Sequence, residues 1–259
     1  MAAPRVGRMC GRYASSRNPA DLAEEFEIDR ARVTETVAEP LPADYNVAPT
    51  KSVYAVVERP EGPRQLRVVT WGLVPFWAKD PKVGNKMINA RVETLPDKPA
   101  FRQAFAKRRC LLPADGYYEW YTTQQRGKSG KPLKQPFFIH PKDGSSLAMA
   151  GLYEIWRDPN KPEDDPSRFL WTCTVITTRA EDEVGHIHDR MPMVVERDRW
   201  ATWLDPESGR DDLRDLLVPA APGMLEAYPV STSVNNVRNN GPELLEPLPA
   251  EDLPEGVEA

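Results

Sequence analysis

The chain has 259 residues, 40% of them hydrophobic, and 34 Lys and Arg against 39 Asp and Glu give a formal charge of −5. That length allows a sizeable core in one large domain or two small ones. No apolar run approaches the roughly 18 residues of a membrane span, and the N-terminus carries no apolar signal segment. Three widely spaced cysteines (Cys10, Cys110, Cys173) without a C-x-x-C pair argue against a disulfide framework or a structural zinc site, and fit a reducing cytoplasm.

Residues 1–8 have no periodicity and read as a leader. Met9 precedes a small residue, so a chain started at Met9 and trimmed would begin at Cys10, with a thiol and an α-amine on adjacent carbons. A helix is signalled from Asn18, which can cap, with Pro19 in the first turn, Asp21 and Glu24 at the positive dipole end, and Leu22 and Phe26 on one face. Val53–Val57 and Gln65–Val69 read as a β-hairpin turned at Pro60–Pro63. The aromatic segment Trp71–Trp77 leads through a loop to Asn85–Thr94, and a helix is expected over Pro99–Lys107. Cys110–Trp120 has strand character around a Pro/Gly turn, and 123–135 reads as a polar, basic loop.

Further strands are expected at 137–139, 147–155 and 169–177, short helices at 197–204 and 211–217, and a last extended run over 228–237. Strands outnumber helices, and no βαβ alternation occurs. The expected class is α+β, with a mainly antiparallel, barrel-like β-sheet core and flanking short helices. One domain over 10–240 is expected, followed by an acidic, Pro-rich, mobile tail over 241–259. That tail holds six acids and no Lys or Arg, so residues 1–240 carry a formal +1. Between Trp71 and Arg109 nine Lys and Arg face three acids. The overall acidity therefore masks a basic segment.

Several side chains have chemistry to offer, and each also has a bland reading. A lone cysteine such as Cys10 is usually a small buried hydrophobe. Glu119, between Tyr118 and Trp120, would have a raised pKa if desolvated, but alternation can equally turn it to solvent. His188 is one of three histidines and suits proton transfer; a surface-loop histidine is the alternative, and no Cys/His/Asp cluster supports a metal. Asn89 and Arg91 share a face of an extended strand and suit a phosphodiester or sugar, or a turn and a salt bridge. Trp71 and Trp77 can stack on unpaired bases or pack in a core.

Taken jointly, the motifs are specific. Met-Cys-Gly-Arg-Tyr, Tyr-Asn-Val-Ala-Pro-Thr, Trp-Gly-Leu-Val-Pro-Phe-Trp-Ala, Asn-Ala-Arg-Val-Glu-Thr, Arg-Cys-Leu-Leu-Pro-Ala-Asp-Gly-Tyr-Tyr-Glu-Trp and His-Asp-Arg-Met-Pro occur in that order between Met9 and Asn236. Together they closely resemble the SOS response-associated peptidase (SRAP) family of abasic-site processing proteins. The resemblance implies a protein of the DNA damage response that senses abasic sites in single-stranded DNA and bonds to them through Cys10 as a thiazolidine. It implies active-site roles for Asn89, Glu119 and His188, phosphate contacts from Arg12 and Arg91, a place beside the DNA groove for Trp71, and a place near His188 for Thr177. Self-cleavage of the leader and a slow lyase activity are further implications. No cofactor, metal or membrane is implied, a monomer is the default, and the location would be cytoplasmic, at the nucleoid when bound to DNA. The alternatives are a cysteine peptidase acting on other proteins and a non-covalent single-strand binder.

Overall fold

The computed structural model describes residues 11–60, 62–127, 129–180, 182–254 and 256–257. Cys10 and the leader fall outside them. In chain order the strands are β1 (Tyr13–Ser15), β2 (Asp44–Val47), β3 (Ser52–Val57), β4 (Gln65–Trp71), β5 (Asn89–Arg91), β6 (Arg109–Ala114), β7 (Gly116–Arg126), β8 (Pro132–Pro141), β9 (Leu147–Arg157), β10 (Phe169–Arg179), β11 (Arg190–Pro192) and β12 (Leu225–Pro229). The α-helices are α1 (Pro19–Glu25), α2 (Arg30–Thr36), α3 (Arg102–Lys107), α4 (Trp200–Leu204) and α5 (Arg210–Asp215). No helix among the described residues is long and apolar enough to cross a membrane.

Five strands close on themselves. β3 pairs β4 and β6, β6 pairs β9, and β9 pairs β10, all antiparallel, and β10 returns to β4 in parallel, Cys173 opposite Trp71. An odd number of strands cannot alternate direction all the way round a closed ring, so one parallel joint is a topological necessity. The α+β barrel expected from the strand pattern is therefore present, with a parallel seam the pattern could not disclose. β10 also carries β5 in parallel and β11 antiparallel beyond the barrel.

Both faces of the barrel strands are covered, which is why β6 and β9 are buried almost throughout. One set of alternate residues, including Ala55, Val57, Trp71, Cys110, Tyr153 and Cys173, forms the inner cluster. The other set, including Val56, Leu111, Leu152 and Ile176, meets the helices through Phe26, Phe105 and Trp203. A second, antiparallel sheet in the order β12-β8-β7-β1-β2 lies against the barrel. It too is covered on both sides: Tyr13, Val47 and Tyr117 join the barrel cluster, and Ala14, Tyr118 and Phe138 pack with Val230, Val234 and Leu244.

α1 forms as expected, with the Asn18 side chain accepting from the Ala20 and Asp21 amides. α2, capped by Asp29, was not expected, because Val33 and Val37 are the only apolar residues it lends the core. Two other expectations are corrected. The loop at 123–135 is largely the two arms of the β7–β8 hairpin, which run to Arg126 and restart at Pro132. The last extended run stops at Pro229 and gives way to a 3-10 turn over Thr232–Asn235. The first residues of the 241–259 tail pack back on the second sheet. Leu244 is buried, Val230 bridges Pro247, the Leu248 amide donates to the Pro229 carbonyl at 2.8 Å, and the Leu245 carbonyl accepts from the Tyr228 hydroxyl at 2.8 Å.

Candidate functional site

β10 organises the site. On one flank it pairs first with β4 and then with β5, so Asn89 lies opposite Val175 and Arg91 opposite Thr177. The chain between, residues 72–88, leaves and re-enters at a contact of two glycines. Gly72 has φ +135°, and a Cβ on it would stand 2.8 Å from the Gly84 carbonyl oxygen. Only glycine satisfies both the backbone angle and the approach. The loop is pinned on the outside of β9 and β10. The Val74 amide donates to the Thr172 hydroxyl at 2.9 Å, and the Trp156 indole to the Ala78 carbonyl at 2.7 Å. It holds Phe76 and Trp77 half exposed, at 50% and 54%, with Lys79, Lys82 and Lys86 also exposed.

Strand alternation sorts the candidates by face. Ala90 and Ile176 enter the helix-side cluster, which turns Asn89, Arg91 and Thr177 to the other side, where Val175 joins the barrel cluster. Tyr117 belongs to that same cluster and Tyr121 packs against it, so Glu119, between them on β7, faces it as well. Glu119 is 2% exposed. Its aromatic neighbours Tyr118 and Trp120 cover the opposite face. Alternation does separate Glu119 from them, but the side it turns to is the barrel, not solvent.

β1 lies alongside β7, with Tyr13 opposite Tyr117, and the Tyr118 amide donates to the Arg12 carbonyl at 3.0 Å. Continued by one residue, this register sets Gly11 against Glu119. The Tyr13 ring lies 5.2 Å from Trp71, whose indole N–H donates to the Ile88 carbonyl at 2.9 Å, next to Asn89. Trp71 thus ties β1 to β5. It is fully buried, so no face of its ring is open to a base, whereas the Trp77 ring is half exposed.

His188 stands just before β11. Ile187 is in the barrel cluster, and the His186 ring is 6.4 Å from Tyr121 on β7. The Arg190 amide lies 3.1 Å from His188 Nδ1, and Asp189 Oδ1 lies 3.2 Å from the same nitrogen. A backbone amide can only donate, so Nδ1 is the acceptor, the neutral ring carries its proton on Nε2, and the exposed Asp189 is the weaker partner. Arg190 is buried. It grips Glu93 with both terminal nitrogens, at 2.5 and 3.1 Å, and donates to the Thr177 carbonyl at 2.7 Å. That hydrogen bonding holds the Glu93 carboxyl below its usual range.

Arg12 lies on the far face of its sheet from Glu119. One terminal nitrogen donates to Asn46 Oδ1 at 2.6 Å and to the Val234 carbonyl at 2.8 Å, and the guanidinium sits 5.9 Å from the Trp120 ring centre. Burial is the main cause pulling its pKa down. Asn46, fully buried, also donates its amide to the carbonyls of Val234, Asn236 and Asn239, at 3.2, 3.0 and 2.9 Å, and so holds the 231–240 loop. Asn46 was not singled out in the sequence, although it sits inside the Tyr-Asn-Val-Ala-Pro-Thr motif. The basic run over 71–109 divides. Lys107 pairs with Glu207, Arg108 with Glu154, and Arg109 is buried under four backbone carbonyls, with its pKa pulled down to about 10 by burial. Lys79, Lys82, Lys86 and Arg91 stay exposed beside the site.

Among the described residues Cys110 and Cys173 are free thiols. Both are fully buried, and burial raises the pKa of each. No group of three or more His, Cys, Asp or Glu among the described residues could hold a metal ion.

Residues 9–237 match the family model described as SOS response associated peptidase (SRAP). The chain belongs to that family. Among its curated relatives, the abasic site processing protein YoqW of Bacillus subtilis is 41% identical over 92% of this chain and 99% of its own length. YedK of Escherichia coli, likewise named an abasic site processing protein, is 34% identical over 93% of this chain and all of its own. HMCES of Gallus gallus, named in the same way, is 34% identical over 93% and 78%. A solved structure from Bacteroides thetaiotaomicron superposes with a TM-score of 0.78 at 25% identity, covering 92% of this chain and all of that one. The shared architecture accounts for the barrel and the second sheet packed against it.

Proposed function

We propose that this SRAP protein processes abasic sites in DNA by capturing the ring-opened sugar through Cys10 as a covalent thiazolidine. The observation that carries the reading is the seating of β1. The chain that leaves Cys10 enters the fold along β7 beside the buried Glu119, on the cluster that Asn89 and Thr177 also face. Elimination supports it, since the other two thiols are sealed in the core. The names of the relatives supply the substrate class.

The steps balance without a cofactor. The α-amine of Cys10 adds to the aldehyde carbon, C1′, and water leaves to give a Schiff base. The thiolate then adds to that carbon, and the nitrogen takes a proton, closing a five-membered ring. Glu119, kept from water, exchanges protons near the amine; His188 assists opening of the sugar through Nε2; Asn89 orients the nucleophile. A Schiff base at C1′ also acidifies C2′, the route to a slow β-elimination. The exposed Trp77, Lys79, Lys82, Lys86 and Arg91 suit a single strand, where stacking and phosphate charge supply affinity. An unpaired abasic nucleotide also avoids the cost of unstacking a duplex.

The chemistry requires a free α-amine, so the chain must begin at Cys10 when it acts. The test is a denaturing gel after incubation with an abasic oligonucleotide. Protein beginning at Cys10 gives a shifted band, and Cys10→Ala protein or protein retaining Met1 to Met9 gives none. An equal band from the untrimmed chain refutes ring closure, and turnover of peptides without any DNA adduct points instead to a peptidase.

A further inference from the structure

The end of the barrel remote from Asn89 carries charge that this chemistry does not use. Arg59 follows β3, and Arg67 sits in β4 opposite Ala55. Both guanidinium carbons lie 5.1 Å from the centre of the Trp171 ring, which stacks on Tyr153 at 5.5 Å and 11°. Ala55, Tyr153 and Cys173 belong to the inner cluster, so alternation turns Arg67 and Trp171 toward the barrel axis at its rim. Six residues of β10 separate Trp171 from Thr177, a span of ~20 Å.

Among the described residues the two cations have no counter-charge. Among the described residues neither Arg59 nor Arg67 has a carboxylate in ion-pair range; Arg67 donates only to the neutral Gln65 Oε1, at 3.3 and 3.0 Å. The nearby acids are committed elsewhere, Glu58 to Arg64 at 3.7 Å and Glu154 to Arg108 at 2.8 Å. Burial first, and the repulsion of Arg59 second, pull the Arg67 pKa down. Burial raises the Tyr153 pKa, and Arg59 opposes it, as does Arg108, which is paired with Glu154. Two planar forks converging on one indole match an anion with several oxygens better than a lone carboxylate.

We propose that Arg59 and Arg67 form a phosphate-binding subsite at this rim. The phosphate comes either from the backbone of a strand long enough to run the length of the barrel, or from a free phosphate compound.

The test uses full-length Cys10→Ala protein, so it is independent of the covalent chemistry. Undamaged single strands of about 5 and about 20 nucleotides are titrated by fluorescence anisotropy over a range of salt. With a strand as ligand, Arg59→Gln/Arg67→Gln binds the long oligonucleotide about tenfold more weakly and the short one as before. Its salt slope becomes shallower by ~1.4, about 0.7 for each lost single-strand phosphate. With free phosphate as ligand, inorganic pyrophosphate raises the melting temperature of the parent protein but not of the double variant, and both oligonucleotides bind unchanged. The proposal is overturned if neither the long-strand affinity nor the pyrophosphate response changes while the unliganded melting temperature stays at the parent value. If the double variant does not fold, Arg59→Lys/Arg67→Lys keeps the charge but loses the forks, and must weaken whichever response the parent shows, the preference for the long strand or the pyrophosphate shift; a variant that keeps both at the parent level overturns the proposal.

Discussion

Asn46 offers the sharpest test of how the site is held. Its amide serves three carbonyls of the 231–240 loop, and its oxygen takes the Arg12 guanidinium, all from a fully buried position. An amide has two protons, so the three carbonyls share them, equivalent to about two neutral hydrogen bonds. Each is worth about 1 kcal/mol net, and the bond from the charged Arg12 about 1.5. Asn46→Ala therefore costs about 3.5 kcal/mol, or about 7–14 °C in melting temperature at 2–4 °C per kcal/mol for a chain of this size. Asn46→Asp is the discriminating control. It keeps the shape and the Arg12 acceptor, but turns a second oxygen toward three carbonyl oxygens, and should destabilise at least as much as alanine. Thermal unfolding followed by circular dichroism measures both. A loss under about 2 °C for alanine, or an aspartate that melts like the parent, refutes the claim that these donors hold the loop.

The two tryptophans separate core from surface. Trp71→Ala should cost about 3–5 kcal/mol as a core truncation, whereas Trp77→Ala should leave the melting temperature unchanged and weaken binding of a single strand by about 1–3 kcal/mol; titration and melting of both variants decide. Gly72→Ala adds a Cβ 2.8 Å from the Gly84 carbonyl oxygen at a φ of +135°, so it should destabilise by about 1–3 kcal/mol and shift the amide resonances of residues 72–88. Arg190 depresses the pKa of Glu93, so this carboxylate contributes stability above its unfolded pKa, and that contribution is lost as pH falls through the folded value. Glu93→Gln should therefore be less stable than the parent at pH 7, with the gap closing in acid; a gap that persists or widens there contradicts the sign.

Much of this was legible in the sequence. The β3–β4 hairpin, the strands of β9 and β10 and the Asn18 cap follow from alternation and end-capping, which are local. What was not legible depends on what lies across from a residue. Glu119 alternates as a half-exposed strand residue would, and only the barrel packed against the second face of its sheet buries it. Trp71 and Trp77 are close in sequence and alike in chemistry, yet the Gly72 turn sends one into the core and the other onto a loop. The docked tail is polar and Pro-rich, and Leu244 alone gives little warning that it returns to the second sheet. Arg109, counted with the basic run, instead serves backbone carbonyls at the ends of α3 and α4.

The parallel seam also has a temporal meaning. It joins β4 and β5 to β10 across roughly a hundred residues of chain, the kind of distant pairing that forms late. On a ribosome the first residues emerge long before β10 and β11 do. A half-made chain thus presents β1 and β4 without the strands that later flank them, and the arrangement around Glu119 is complete only when synthesis is nearly finished.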